Sequence, residues 1–297
     1  MAMRSLRTRR ICWSIWERTT DMTVLYVILS VLAVVFLVYV FVLVKPNGKR
    51  AHDPVLDCEY AHRGLHSETV PENSLSAFRL AAEAGYGIEL DVQLSSDGEV
   101  YVFHDYTLVR MTGEEGLLSG KTSAELETMR LLSGGNVTDE KIPTLCEVLD
   151  AVDGRVPILV ELKGESTDTS LCPKADAILR EYKGPYCVES FNPMLIGWYR
   201  KNRPDVYRGM LSTDVFREKK KNALNFLIGA MALNVIARPD FIAYNCKYPR
   251  RLPVKLCTAF WRADRFMWTA RTPEDYKLMK THGAWTIFEG FDPGDVK

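Results

Sequence analysis

A chain of 297 residues with 47% hydrophobic residues can bury a full core, which excludes a disordered protein. Its 38 basic and 38 acidic residues cancel, so no nucleic-acid partner held by bulk charge is expected. Seven dispersed cysteines (Cys12, Cys58, Cys146, Cys172, Cys187, Cys246 and Cys257), with no CxxC pair, exclude a thiolate zinc site and read as buried thiols in a reducing compartment.

Residues 1–23 are basic, carrying Arg4, Arg7, Arg9, Arg10 and Arg18. Residues 24–44, Val24 to Val44, hold no charge. As a helix rising 1.5 Å per residue they would span roughly 30 Å, the thickness of a hydrocarbon core. A helix packed on a soluble core would keep a polar face, and a cleaved signal would carry a shorter apolar region and a small-x-small site. The stretch therefore predicts a single-pass membrane anchor, with the membrane as a partner. The arginines before it place the N-terminus in the cytoplasm and the following domain outside. A start at Met22 would remove them, leaving Lys45, Lys49 and Arg50 to hold the domain inside. The free thiols lean the same way, so both orientations stand, with a lean to the cytoplasm.

Residues 45–57 are expected as a linker and 58–297 as one domain. Strand patterns run over Glu59–Ala61, Gly87–Val92, Val100–Phe103, Pro157–Lys163, Tyr186–Ser190, Val206–Leu211, Asp240–Tyr244, Phe266–Thr269 and Ala284–Phe288. Helical patterns fall between them, over Ser74–Ala84, Leu145–Val152, Asp168–Tyr182, Pro193–Lys201 and Pro273–His282. This alternation predicts a parallel sheet covered by helices, and its length fits a closed (β/α)₈ TIM barrel preceded by the transmembrane helix. No glycine-rich phosphate loop follows the first strand, which argues against an open doubly wound sheet.

In such a barrel the C-terminal strand ends build the site. The first strand ends in His62 and Arg63. Glu89 and Asp91 are two residues apart on the second, and so face one side. His104 follows Val100–Phe103, and Glu161 and Lys163 again share a face. Three converging carboxylates, Glu89, Asp91 and Glu161, would repel unless a cation lay between them, and an all-oxygen set suits one divalent cation, Mg²⁺ or Ca²⁺. Arg63 and Lys163 could neutralise phosphate oxygens. His62 and His104 titrate near neutrality and could move protons. Taken singly, each of these has a structural reading; as a set at successive strand ends they read as a site.

His62-Arg63-Gly64, Pro71-Glu72-Asn73-Ser74, Glu89-Leu90-Asp91-Val92, Asp97-Gly98, His104-Asp105 and Glu161-Leu162-Lys163 stand in the order of, and resemble, the signature of the glycerophosphodiester phosphodiesterase family. The resemblance is dense from Tyr60 to Lys163 and looser beyond. It implies a (β/α)₈ barrel, one divalent cation on Glu89, Asp91 and Glu161, His62 and His104 as the catalytic acid–base pair, and Arg63 and Lys163 as phosphate contacts. The implied reaction frees an alcohol and leaves glycerol 3-phosphate, through attack by the substrate's own hydroxyl and opening of a cyclic product by water. The substrate would be a small-molecule phosphodiester or a lysolipid; the latter would leave lysophosphatidic acid. Met267-Trp268-Thr269 resembles a late family motif, which makes Trp268 a candidate for lining the substrate pocket. The last strand lacks the family's Thr-Asp-Pro ending. Asn73 or Ser74 is expected to cap a helix.

An apolar stretch, Ala223–Ile236, follows Lys219-Lys220-Lys221 and reads either as a barrel helix or as a surface lying on a bilayer. Two other functions compete. One is a phosphoinositide-type phospholipase C, whose metal-free form the acidic pairs argue against. The other is a non-catalytic membrane-bound binding barrel, which should have lost a histidine or carboxylate. Head-group choice and oligomeric state leave no trace in the sequence.

Overall fold

The computed structural model describes residues 22–48, 53–218 and 222–296. It forms two compact units, one ending at Leu43 and the other starting at Val44. In the first, Met22–Leu43 is one helix, long and apolar enough to cross a membrane.

The second unit is the barrel. Its parallel strands are β1 (Tyr60–His62), β2 (Gly87–Leu94), β6 (Ile158–Leu162), β7 (Tyr186–Ser190), β8 (Tyr207–Ser212), β9 (Phe241–Asn245), β10 (Asp264–Ala270) and β11 (Trp285–Phe288). They pair in chain order, and β1 closes the ring against both β2 and β11. β3 (Val100–Val102) differs from the other expected strands: it pairs antiparallel with the end of β2, outside the ring. A small hairpin, β4 (Leu132–Ser133) and β5 (Asn136–Val137), follows.

Period-two alternation sets what the barrel encloses. Tyr60, Leu159, Cys187, Tyr207, Phe241 and Phe266 form an apolar floor. Two residues further along β1, β6, β7 and β10, His62, Glu161, Glu189 and Trp268 form the layer above, at the C-terminal ends. Gly209 is required by this floor: a Cβ there would lie 2.0 Å from the Phe241 ring, which stacks on Tyr207 at 5.4 Å. The register holds the upper layer level, with His62 opposite Glu89, Asp91 opposite Glu161, and Glu161 opposite Glu189.

The outer helices start where cap residues satisfy their free N–H groups. Ser74 Oγ accepts from Ala77 N ahead of Leu75–Glu83, so Ser74, not Asn73, is the cap. Thr144 and Glu147 form a capping box ahead of Leu145–Val152. Asn192 and Thr272 cap Pro193–Asn202 and Pro273–Thr281. The expected Asp168–Tyr182 helix is narrower, Leu171–Leu179.

The barrel unit starts before residue 58. Asn47 N donates to Pro239 O at 2.8 Å, Asn47 Nδ2 to Asp240 Oδ1 at 2.6 Å, and Val55 and Leu56 are buried in the floor cluster. The stretch 45–57 is thus partly barrel. The 223–236 region breaks into two short helices, Ala223–Gly229 and Asn234–Ala237. Met231, Ala232, Asn234 and Ala237 are buried, whereas Leu224 and Phe226 are exposed. Lys219, Lys220 and Lys221 lie outside the described residues, as does Cys12.

Candidate active site

Glu89, Asp91 and Glu161 converge as buried groups, each with an oxygen within 4.8 Å of the others. Two ligands at about 2.4 Å on opposite sides of one ion lie about that far apart, so a single hard cation fits the set. Lys163 Nζ lies 2.7 Å from Glu161 Oε1 and 2.8 Å from Asp91 Oδ1. Only the first contact has hydrogen-bond geometry, and Asp91 Oδ1 is left without a hydrogen bond among the described residues. Burial, then Asp91 and Glu161, push Glu89 well above the usual carboxylate range. Burial also lifts Glu161 to about 7, against the pull of Lys163. For Asp91 burial is outweighed by Lys163 and Arg63, which hold it low. Crowded buried carboxylates, one with an unsatisfied oxygen and no sulfur or imidazole among them, are an arrangement that a bound divalent cation would relieve.

The two histidines flank this cluster, and each is held at Nδ1 by a carboxylate. His62 Nδ1 hydrogen-bonds Glu289, and Glu289 in turn accepts from Arg271 Nε. His62 Nε2 lies 4.0 Å from Glu89 Oε2. Burial lowers the His62 pKa and the Glu289 bond opposes it. His104 Nδ1 lies 2.6 Å from Asp105 Oδ1. Burial lowers the His104 pKa and Asp91 opposes it. Arg110 grips Asp105 through Nε (2.5 Å) and Nη2 (3.0 Å), and grips Glu72 through Nη1 (2.9 Å) and Nη2 (2.7 Å).

Arg63 joins both halves. Its backbone N donates to Glu89 Oε2 at 3.0 Å, its Nη1 donates to Glu72 Oε1 at 2.7 Å, and its Nε lies 3.5 Å from Asp91 Oδ2. Its φ of 57° is left-handed, a conformation that turns the strand end over the carboxylates. Asn73, at φ 53°, returns the chain: its N donates to Arg63 O at 3.0 Å and its Nδ2 to Asp91 Oδ2 at 2.9 Å.

A cavity of about 150 Å³ opens at the strand ends, walled by His62, Arg63, His104, Glu161, Phe191 and Trp268 among others. Trp268 meets Phe191 edge to face at 5.6 Å, and its indole N–H has no acceptor among the described residues. Lys163 is not among the walls; it is bound between Asp91 and Glu161. Glu289, Glu189 and the Arg110–Glu72–Asp105 cluster were not foreseen. Strand parity would have found the first two: Glu289 is two residues beyond Ile287, and Glu189 two beyond Cys187. Glu189 lines the cavity, 1% exposed, its Oε2 without a hydrogen-bond partner among the described residues, and burial raises its pKa well above the usual range.

Residues 62–288 match the family model described as the glycerophosphoryl diester phosphodiesterase family. The chain is 35% identical over 158 residues to a glycerophosphodiester phosphodiesterase of Caldanaerobacter subterraneus, a match that covers 51% of this chain and 65% of that relative, just under two thirds of its length. Among solved structures, a glycerophosphodiester phosphodiesterase from Thermotoga maritima aligns at TM-score 0.60 and 25% identity, covering 81% of this chain and 96% of that one. An Oleispira antarctica phosphodiesterase, solved with the product sn-glycerol-3-phosphate, shares the fold at TM-score 0.64 and 24% identity, covering 77% and 91%. With the family model spanning most of its length, and His62, Arg63, Glu89, His104 and Glu161 of the signature lining one cavity, the chain belongs to the glycerophosphoryl diester phosphodiesterase family.

Proposed function

We propose that this chain hydrolyses glycerophosphodiesters to an alcohol and glycerol 3-phosphate, with His62 and His104 as the proton-transfer pair. The observation that carries the reading is the pairing of each histidine Nδ1 with a carboxylate beside one cavity. A neutral imidazole that donates from Nδ1 has its Nε2 lone pair free to accept a proton. One histidine takes the proton of the attacking hydroxyl as the new O–P bond forms. The other, protonated, gives its proton to the alkoxide that leaves, and water then opens the cyclic phosphate.

Glu89, Asp91 and Glu161 would hold one divalent cation, Mg²⁺ or Ca²⁺, which supplies positive charge against a phosphate oxygen. Arg63, on the cavity wall and tethered by Glu72, is positioned to meet another phosphate oxygen. Lys163 acts mainly on the carboxylates, keeping Asp91 ionised. Trp268 and Phe191 offer apolar surface to the substrate's organic portion. Met22–Leu43 is read as a membrane anchor, with the barrel on the cytoplasmic side, in keeping with six free thiols among the described residues.

The test is release of glycerol 3-phosphate from glycerophosphocholine, and of choline from lysophosphatidylcholine, by the full chain in detergent. Mg²⁺, Ca²⁺ and chelator are compared, beside His62→Ala and Glu89→Ala. Metal-dependent turnover lost in both variants is expected. Turnover of neither substrate by folded, metal-supplied protein would overturn the reading, and cleavage of phosphoinositides in chelator would replace it with the phospholipase C alternative.

A further inference from the structure

A second cavity, of about 590 Å³, lies where the chain enters β10 and β11. It shares no lining residue with the catalytic cavity. Its walls carry Arg250, Lys255, Arg265 and His282 against one carboxylate, Asp264, which already accepts the Tyr207 hydroxyl. The whole chain balances 38 basic against 38 acidic residues, so this is a local segregation of positive charge.

Strand phase explains how Arg265 reaches the cavity. Phe266 points into the barrel floor, so Arg265 points outward, beneath the segment that joins β9 to β10. Arg265 is only 9% exposed. Its Nη2 donates to Pro249 O at 2.6 Å, whereas its Nε is buried without a hydrogen-bond partner among the described residues. Other well-buried arginines of this barrel face carboxylates: Arg208 lies 3.6 Å from Asp240, and Arg63 is bound to Glu72. Arg265 has no such partner among the described residues, and burial lowers its pKa. His282 Nε2 is also buried and without a hydrogen-bond partner among the described residues. Burial lowers the His282 pKa, and Arg265 and Arg250 add to the effect. Arg250 and Lys255 are exposed and make no ion pair among the described residues.

A buried guanidinium without a counter-charge is costly, and burying polar N–H groups without acceptors adds to that cost. An entering oxyanion would satisfy both, since Arg presents a fork of donors matched to phosphate and Lys adds a point charge. A cationic or neutral ligand would leave the positive field uncompensated. We propose that this second cavity is a phosphate-binding site, independent of the hydrolytic one.

The phosphate could be free in solution or part of an anionic phospholipid headgroup. The lipid source is favoured by what packs behind this wall. Val44 O accepts from Asn234 Nδ2 at 3.0 Å and from Cys257 Sγ at 3.4 Å, and Lys45 Nζ sits 4.6 Å from the Trp261 ring centroid. Cys257 belongs to the helical turn Leu256–Phe260 that also carries Thr258 and Ala259 into the cavity wall. A basic pocket in a chain that also carries an apolar helix able to cross a membrane is suited to anionic headgroups.

The full chain in neutral detergent is titrated with inorganic phosphate. In parallel it is placed in phosphatidylcholine bilayer discs with or without phosphatidylglycerol. Tm is read for the wild type, for Arg250→Ala/Lys255→Ala and for Arg265→Met. Phosphate on the catalytic residues raises Tm equally in all three, so the difference between them reports the second cavity. In at least one arm the wild type is expected to gain about 4 °C more than the variants at ten times the dissociation constant. A difference confined to phosphate identifies a soluble ligand, and one confined to phosphatidylglycerol identifies the headgroup. The surface pair alone decides the matter if Arg265→Met does not fold. Equal gains for wild type and the surface variant in both arms would overturn the site, whatever the outcome of the hydrolysis assay.

Discussion

Glu289 gives the sharpest test of how the site is built. It accepts from His62 Nδ1 and Arg271 Nε, and its side chain is 18% exposed. Glu289→Gln keeps the shape and removes the charge. A hydrogen bond to a charged group contributes about 1.5–3 kcal/mol, so if it orients His62 in the transition state its loss lowers kcat/KM roughly 10- to 100-fold. The loss should fall on kcat with KM nearly unchanged, because no substrate contact is removed. Burial already depresses the His62 pKa and Glu289 opposes it, so the rate limb that His62 governs should move to lower pH in the variant. The carboxyl itself shows the same coupling: burial would raise its pKa, but His62 and Arg271 hold it at about 2, below the ordinary 4.5. That contribution to stability is present above about pH 4.5 and is lost as pH falls toward 2. Urea unfolding as a function of pH should therefore be flatter across that window in Glu289→Gln. A variant with kcat/KM within about twofold of wild type and an unmoved pH profile would refute the orienting role.

Three further outcomes are expected. In chelator, Glu89→Gln should raise Tm, because it removes one of three mutually repelling buried carboxylates, while Mg²⁺ or Ca²⁺ should stabilise the variant far less than the wild type; a drop in Tm with metal stabilisation intact would contradict the cluster's role. Asn73→Ala should cost about 3 kcal/mol, or roughly 9 °C in Tm, by placing Ala at φ 53° and removing the 2.9 Å bond to Asp91; thermal melts check this. Cys146, an exposed thiol, should resist a membrane-impermeant maleimide in intact cells and react after lysis if the barrel is cytoplasmic; labelling of intact cells would reverse the orientation.

Much of this architecture is legible along the chain because it is periodic or local. Strand–helix alternation gave the barrel, and Glu89, Asp91 and Glu161 could be placed on inward faces by parity alone. The cap ahead of Leu75–Glu83 is short-range chemistry, legible as Asn73 or Ser74 along the chain, and the structure selects Ser74. β3 was legible as a strand but not as an antiparallel one outside the ring, since pattern does not fix a strand's partner. The stretch 45–57 reads as a linker by composition, yet Asn47 and Val55 are held by partners far along the chain.

The sequence by itself determined which residue types stand at which strand ends, because alternation along an extended chain is a local property. Only the tertiary structure decided that His62 is held by a carboxylate 227 positions away, that Lys163 is spent on Asp91 and Glu161 instead of facing the cavity, and that Arg265 is buried without a counter-charge among the described residues. Those facts depend on ring closure between β1 and β11 and on how the outer segments cover the strands. Long-range contacts of that kind are set by the packing of whole elements, and no local pattern encodes them.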